Sequence, residues 1–149
     1  MRKVAGLLVL ACLLMLGAEE SKDAKADLKK LDGSWKVVKL IYNGENFTKE
    51  DDITIAMEFK DGVATVRASE SIKKEYAKVR FTLDPSVTPK LLDLSIIAGA
   101  QKDAKMEGIY KLDGDKLTLC VKVLGNGRPA KFESPEGESI ALVELTREK

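Results

Sequence analysis

The chain has no histidine, so it lacks the side chain that most often serves as a general base and most often binds a metal. Any acid–base chemistry would fall to Asp, Glu, Lys or Tyr. Cysteine is nearly as scarce, with only Cys12 and Cys120. That leaves nothing to build a structural zinc site or a Cys–His nucleophile from. No phosphate-binding glycine loop occurs, and Asp113-Gly114-Asp115 lacks the further oxygen ligands of a calcium loop. The paired carboxylates at Asp51-Asp52 and at Asp113 and Asp115 read as turn-formers or a solvated rim. Cys120 lies among apolar strand residues and reads as a buried, inert thiol. The expectation is a protein that is not an enzyme, with no catalytic residues, no cofactor and no metal.

Long apolar runs are also missing, apart from one. Met1-Arg2-Lys3 is followed by an apolar stretch from Val4 to Leu16 and then by Gly17-Ala18 and the acids Glu19 and Glu20. A basic start, an apolar centre and small residues at the end are the layout of an export signal. The stretch is shorter than the roughly 20 residues that span a bilayer, so no transmembrane anchor is expected. Residues 1–18 are read as a signal peptide, and the mature chain as periplasmic, envelope-bound or extracellular. Val9-Leu10-Ala11 before Cys12 leaves open a second reading, a lipoprotein signal acylated at Cys12. Cleavage after Ala18 removes Arg2 and Lys3 and leaves 23 basic against 24 acidic side chains, a formal charge of −1. That balance favours neither nucleic acid nor an anionic membrane surface. Only Cys120 remains, so no disulfide can form within the chain and stability must come from the core.

What is present is alternation. Residues 19–32 form a polar leader in which Leu28 and Leu31 share one face of a short helix, placed to dock by those two leucines. From Gly33 the period changes to two. Trp35, Val37, Val38, Leu40 and Tyr42 make a first strand whose apolar face switches near Val37-Val38, as a bulge allows. Ile53 to Phe59, Val63 to Ala68, Ala77 to Leu83, Leu92 to Ile96, Met106 to Leu112, Leu117 to Val123 and Ile140 to Thr146 follow, with turn signals at Asn43-Gly44, Asp61-Gly62 and Asp113-Gly114. A long polar loop spans Gly125 to Ser139. About eight strands with one apolar face each fit a closed up-and-down antiparallel barrel over residues 33–149, preceded by the short helix. The rival is a two-sheet sandwich with Greek-key pairing.

Asp27-Leu28-Lys29-Lys30-Leu31-Asp32-Gly33-Ser34-Trp35-Lys36-Val37-Val38, Leu83-Asp84-Pro85, Pro89-Lys90, Leu92-Asp93-Leu94, Gly108 to Asp115 with Leu117-Thr118-Leu119-Cys120, Arg128-Pro129 with Phe132, and Leu145-Thr146-Arg147-Glu148 together resemble a family of small exported lipocalin-like domains found in planctomycete-type bacteria. The resemblance covers nearly all of the mature chain and implies a lipocalin-like (calycin) fold and export, without an assigned activity. It also implies barrel closure by an arginine over a tryptophan, here Arg147 over Trp35. Two functions follow from the residues. One is a binding module that holds a small hydrophobic ligand beside Phe81, Tyr110 and Val121, with room left by Ala77, Gly108 and Ala141. The other is a structural or interaction module with a filled barrel and an envelope protein as partner. Ligand, partner and oligomeric state are not specified.

Overall fold

The computed structural model describes residues 21–48, 54–69, 72, 74 and 76–149. The expected signal peptide, the carboxylates Asp51 and Asp52, and Ile53 lie outside the described residues. The first element is α1 (Lys22–Leu31), capped by the Ser21 side chain, which accepts a hydrogen bond from the Ala24 N–H at 3.1 Å. Asp23 in the first turn and Lys29 and Lys30 in the last complement the helix dipole. Its buried residues, Ala24, Asp27 and Leu31, follow a 3–4 spacing, and Leu28 packs beside them on the barrel core.

The strands are β1 (Gly33–Tyr42), β2 (Glu45–Asn46), β3 (Ala56–Lys60), β4 (Val63–Arg67), β5 (Lys78–Asp84), β6 (Lys90–Ala98), β7 (Lys105–Asp113), β8 (Lys116–Lys122) and β9 (Ile140–Arg147). From β3 to β9 each strand pairs antiparallel with the next in sequence, and β1 pairs with both β3 and β9. This closes an eight-stranded up-and-down barrel, the lipocalin-like architecture, and excludes Greek-key pairing. β2 is a spur of two residues on the end of β1. Closure leaves no long edge exposed, which matters for strands as apolar as β6 and β8.

Alternation sets the inner face. In β5, Val79, Phe81 and Leu83 are buried while Lys78, Arg80, Thr82 and Asp84 are exposed. In β1 the switch falls where the sequence placed it. Val37 pairs with Leu145 and Lys39 with Glu144, so Val38 is left as the extra bulge residue, 47% exposed. Trp35 and Val37 therefore face inward before the bulge, and Leu40 and Tyr42 after it.

The segment between β8 and β9 is more than a polar loop. It covers outward-facing apolar residues of the barrel wall, so that Ile109, Cys120, Ile140 and Leu142 form a second small core with Phe132, Ile41 and Leu91. Arg128 pins this strap to the wall. Its Nη1 donates to the backbone carbonyls of Leu92 (2.8 Å) and Gly108 (2.6 Å), and its Nη2 to Asp93 Oδ1 (2.6 Å). The turn after β1 holds the other end, where Asn43 Oδ1 accepts from the N–H groups of Gly137 and Ser139. Cys120 Sγ lies 3.4 Å from the carbonyl oxygens of both Lys131 and Glu133 under this strap, and burial pushes its thiol pKa up. Native protein should therefore react with an aromatic disulfide reagent about a hundredfold or more slowly than urea-unfolded protein. Comparable rates in the two states, read by thiolate release, would mean that the strap does not cover Cys120.

Candidate ligand-binding site

The two ends of the barrel differ. At one end α1, the β3–β4 turn, the β5–β6 connection and the β7–β8 turn meet, and the interior is packed solid. Leu31, Trp35, Phe59, Leu83, Leu92, Tyr110, Leu117 and Leu145 are each at most 5% exposed. Phe59 and Phe81 meet edge to face with ring centroids 4.9 Å apart. This layer is the floor.

Trp35 and Arg147 are directly paired across β1 and β9 at this end. The Arg147 guanidinium carbon stands 4.4 Å from the centre of the fully buried Trp35 ring. Arg147 Nη1 donates to the Asp32 carbonyl at 2.8 Å, Nη2 to the Lys30 carbonyl, and Nε to Asp115 Oδ1 at 3.1 Å. Trp35 Nε1 donates to the Leu31 carbonyl at 2.7 Å. The pair thus joins the barrel seam to the C-terminal carbonyls of α1, which a helix otherwise leaves without partners. Gly33 makes room for it. Its φ is +123°, and a Cβ there would sit 3.0 Å from Arg147 Nη1.

Beside this seam lies an ionic cluster. Asp27 on α1 is 5% exposed and accepts a hydrogen bond from the Tyr110 hydroxyl at 2.6 Å and from Lys90 Nζ at 3.0 Å, with Lys30 Nζ at 3.7 Å. Burial raises the carboxyl pKa. The hydrogen bonds from Tyr110 and Lys90 and the two lysine charges outweigh it, holding Asp27 below the usual carboxylate range. Burial, with the Asp27 carboxylate alongside, pushes the Tyr110 hydroxyl far above the ordinary tyrosine range. Lys90 Nζ also lies 5.7 Å from the Tyr110 ring centre.

Above the floor the barrel is not filled. A cavity of about 630 Å³ runs to the other end, where the β1–β2 turn, the β6–β7 connection and the start of the strap form a mouth. Its wall includes Val37, Leu40, Met57, Leu94, Met106 and Val143, and Leu124, 63% exposed, stands at its rim. Phe81 and Val121 both line it. Tyr110 does not. It lies on the same face of β7 as Met106 but four residues further towards the floor, with its hydroxyl on Asp27.

Of the small residues, Ala141 lines the cavity, whereas Ala77 and Gly108 do not. Gly108 serves the wall itself, since a Cβ there would collide with the Cys120 backbone carbonyl on β8. Sequence reasoning missed Asp27, although its place between Ala24 and Leu31 on one helix face was a readable sign of burial. It also missed the Arg128 clamp, whose carbonyl partners no pattern announces. Among the described residues no group of His, Cys, Asp or Glu side chains is arranged to hold a metal ion.

The fold and the cavity define the class as a lipocalin-like barrel with an apolar interior open at one end. No family model, curated protein or solved structure matches the chain.

Proposed function

We propose that this protein is an exported, non-enzymatic binding module that takes a small hydrophobic ligand into the barrel. The observation that carries this reading is the cavity of about 630 Å³ walled by aliphatic, methionine and aromatic side chains. Its size falls within the roughly 300 to 1,000 Å³ typical of small-molecule sites. A barrel serving only as a scaffold gains by filling that space, because wall atoms facing a void lose dispersion contacts. The layout of residues 1–18 supports export, and the resemblance to planctomycete-type exported domains belongs to the same proposal.

Ala141 is the residue with which to test it, because it lines the cavity on β9 beside Val121 and Tyr42 and its side chain is small. N-phenyl-1-naphthylamine, a neutral probe that brightens in apolar surroundings, should show saturable enhancement with the mature protein. Ala141→Phe fills part of the cavity and should weaken that binding about tenfold, the equivalent of ~1.4 kcal/mol, with the thermal midpoint retained. Absence of enhancement with the folded wild-type protein would reject the reading.

A further inference from the structure

The cavity wall restricts the ligand by charge as well as by size. None of the described residues that line it is ionisable at neutral pH, and its polar side chains are Tyr42, Tyr76 and Gln101. All three belong to the mouth, at the end of β1, just before β5, and in the β6–β7 connection. Among the described residues the one buried charge, Asp27, lies elsewhere, below the floor, where it is committed to Tyr110 and to the part-exposed Lys90, and where Arg147 is committed to backbone carbonyls and Asp115. Trp35, Phe59, Leu92 and Tyr110 separate that cluster from the cavity.

From this arrangement we infer that the ligand is a neutral hydrophobe, with at most a hydroxyl, carbonyl or ester group held at the mouth, and not a fatty-acid anion or an amphiphilic cation. The inference deepens the binding reading and rests on it. An ion drawn into this wall would lose hydration and gain neither a counter-charge nor a set of donors from the described residues in return. A hydroxyl or ester loses far less and can be met by a phenol or an amide. The Tyr42 phenol and the Gln101 amide both donate and accept, so they suit an uncharged group of either polarity.

The test is competition against bound N-phenyl-1-naphthylamine at pH 7.5 by three amphiphiles of one chain length: 1-tetradecanol, myristate and tetradecyltrimethylammonium. Each is kept below its micelle or aggregate concentration. The alcohol is expected to displace the probe at a concentration about tenfold or more below that needed for either ion. Myristate acting at the same or lower concentration than the alcohol would overturn the inference, as would the ammonium doing so. Either result would leave the binding reading standing, because the probe would still have been bound and displaced. A wild-type protein that never enhances the probe sinks both together. Ala141→Phe serves as the control that displacement reports the barrel interior, since affinity for both the probe and the alcohol should fall as the cavity is filled.

Discussion

Asp27→Ala is expected to cost about 2 to 3 kcal/mol, the range for a hydrogen bond to a charged group lost in a buried setting. The substitution removes the acceptor of the Tyr110 hydroxyl, which is buried with its residue 1% exposed, and the counter-charge of Lys90. Breaking a fully buried ion pair costs more, but the Lys90 side chain is 39% exposed and can turn to water. Urea denaturation at pH 7 reads the loss, and a thermal scan should show a midpoint lowered by roughly 10 °C for a domain of this size. Tyr110→Phe should cost only about 1 kcal/mol, because Asp27 keeps Lys90. Equal losses in the two variants would mean that the hydroxyl carries the whole cluster.

The same carboxylate gives stability an acid limb. Asp27 is held below its ordinary pKa in the folded state. The unfolded chain therefore binds the proton first as pH falls, and this contribution is complete above pH ~4 and lost below it, as pH drops through the folded value. Tyr110 gives the opposite limb. Its folded pKa is raised, so its contribution is complete below pH ~10 and declines as pH climbs above that. Asp27→Asn should flatten the acid limb relative to wild type, and an unchanged slope between pH 3 and 5 would assign acid sensitivity to other carboxylates.

How legible all this was in the sequence depended on the range of the interaction. Strands were legible because period-two burial is local: Val79, Phe81 and Leu83 declare an inner face without reference to anything else. The bulge at Val38 was legible for the same reason, as a break in that period. The docking of α1 by Leu28 and Leu31 was visible as a helical stripe. Contacts set by three-dimensional neighbourhood were not legible. Tyr110 has the inward position and bulk of a cavity residue, and only the presence of Asp27, 83 residues away in sequence, turns it into part of the floor. Gly108 looks like space for a ligand until the β8 backbone is seen pressed against it. The composition of the strap is that of a polar loop, yet Phe132 and the Arg128 clamp make it a cover for Cys120 and Ile109. Whether a barrel is filled or hollow depends on summed side-chain volume, which alternation does not encode.

Arg147→Ala is expected to destabilise the protein by about 2 to 3 kcal/mol. Its guanidinium engages four groups at once: the Trp35 ring, the carbonyls of Asp32 and Lys30, and the Asp115 carboxylate. The stack on a dry indole face is worth roughly 0.5 to 2 kcal/mol. The carbonyls it caps lie at the end of α1, where the helix dipole makes a cation favourable. Asp115 is half exposed and adds little by itself. Arg147→Lys retains the charge but has neither the planar surface to lie on Trp35 nor the fork to reach two carbonyls together, so it should recover less than half of the loss. Trp35 is the chain's single tryptophan, so its emission reports this site directly and should shift to the red in Arg147→Ala as water reaches the floor. Loss of the cap should also loosen α1 from the barrel, seen as faster amide exchange across Lys22–Leu31 while the strand amides stay protected. An Arg147→Ala protein with wild-type stability and unchanged Trp35 emission would show that β1 and β9 close the barrel through their backbone ladder and that the stack is incidental. Probe binding gives the final separation. The cavity lies above the floor and Arg147 does not line it, so the variant should bind N-phenyl-1-naphthylamine as wild type does at temperatures where it remains folded.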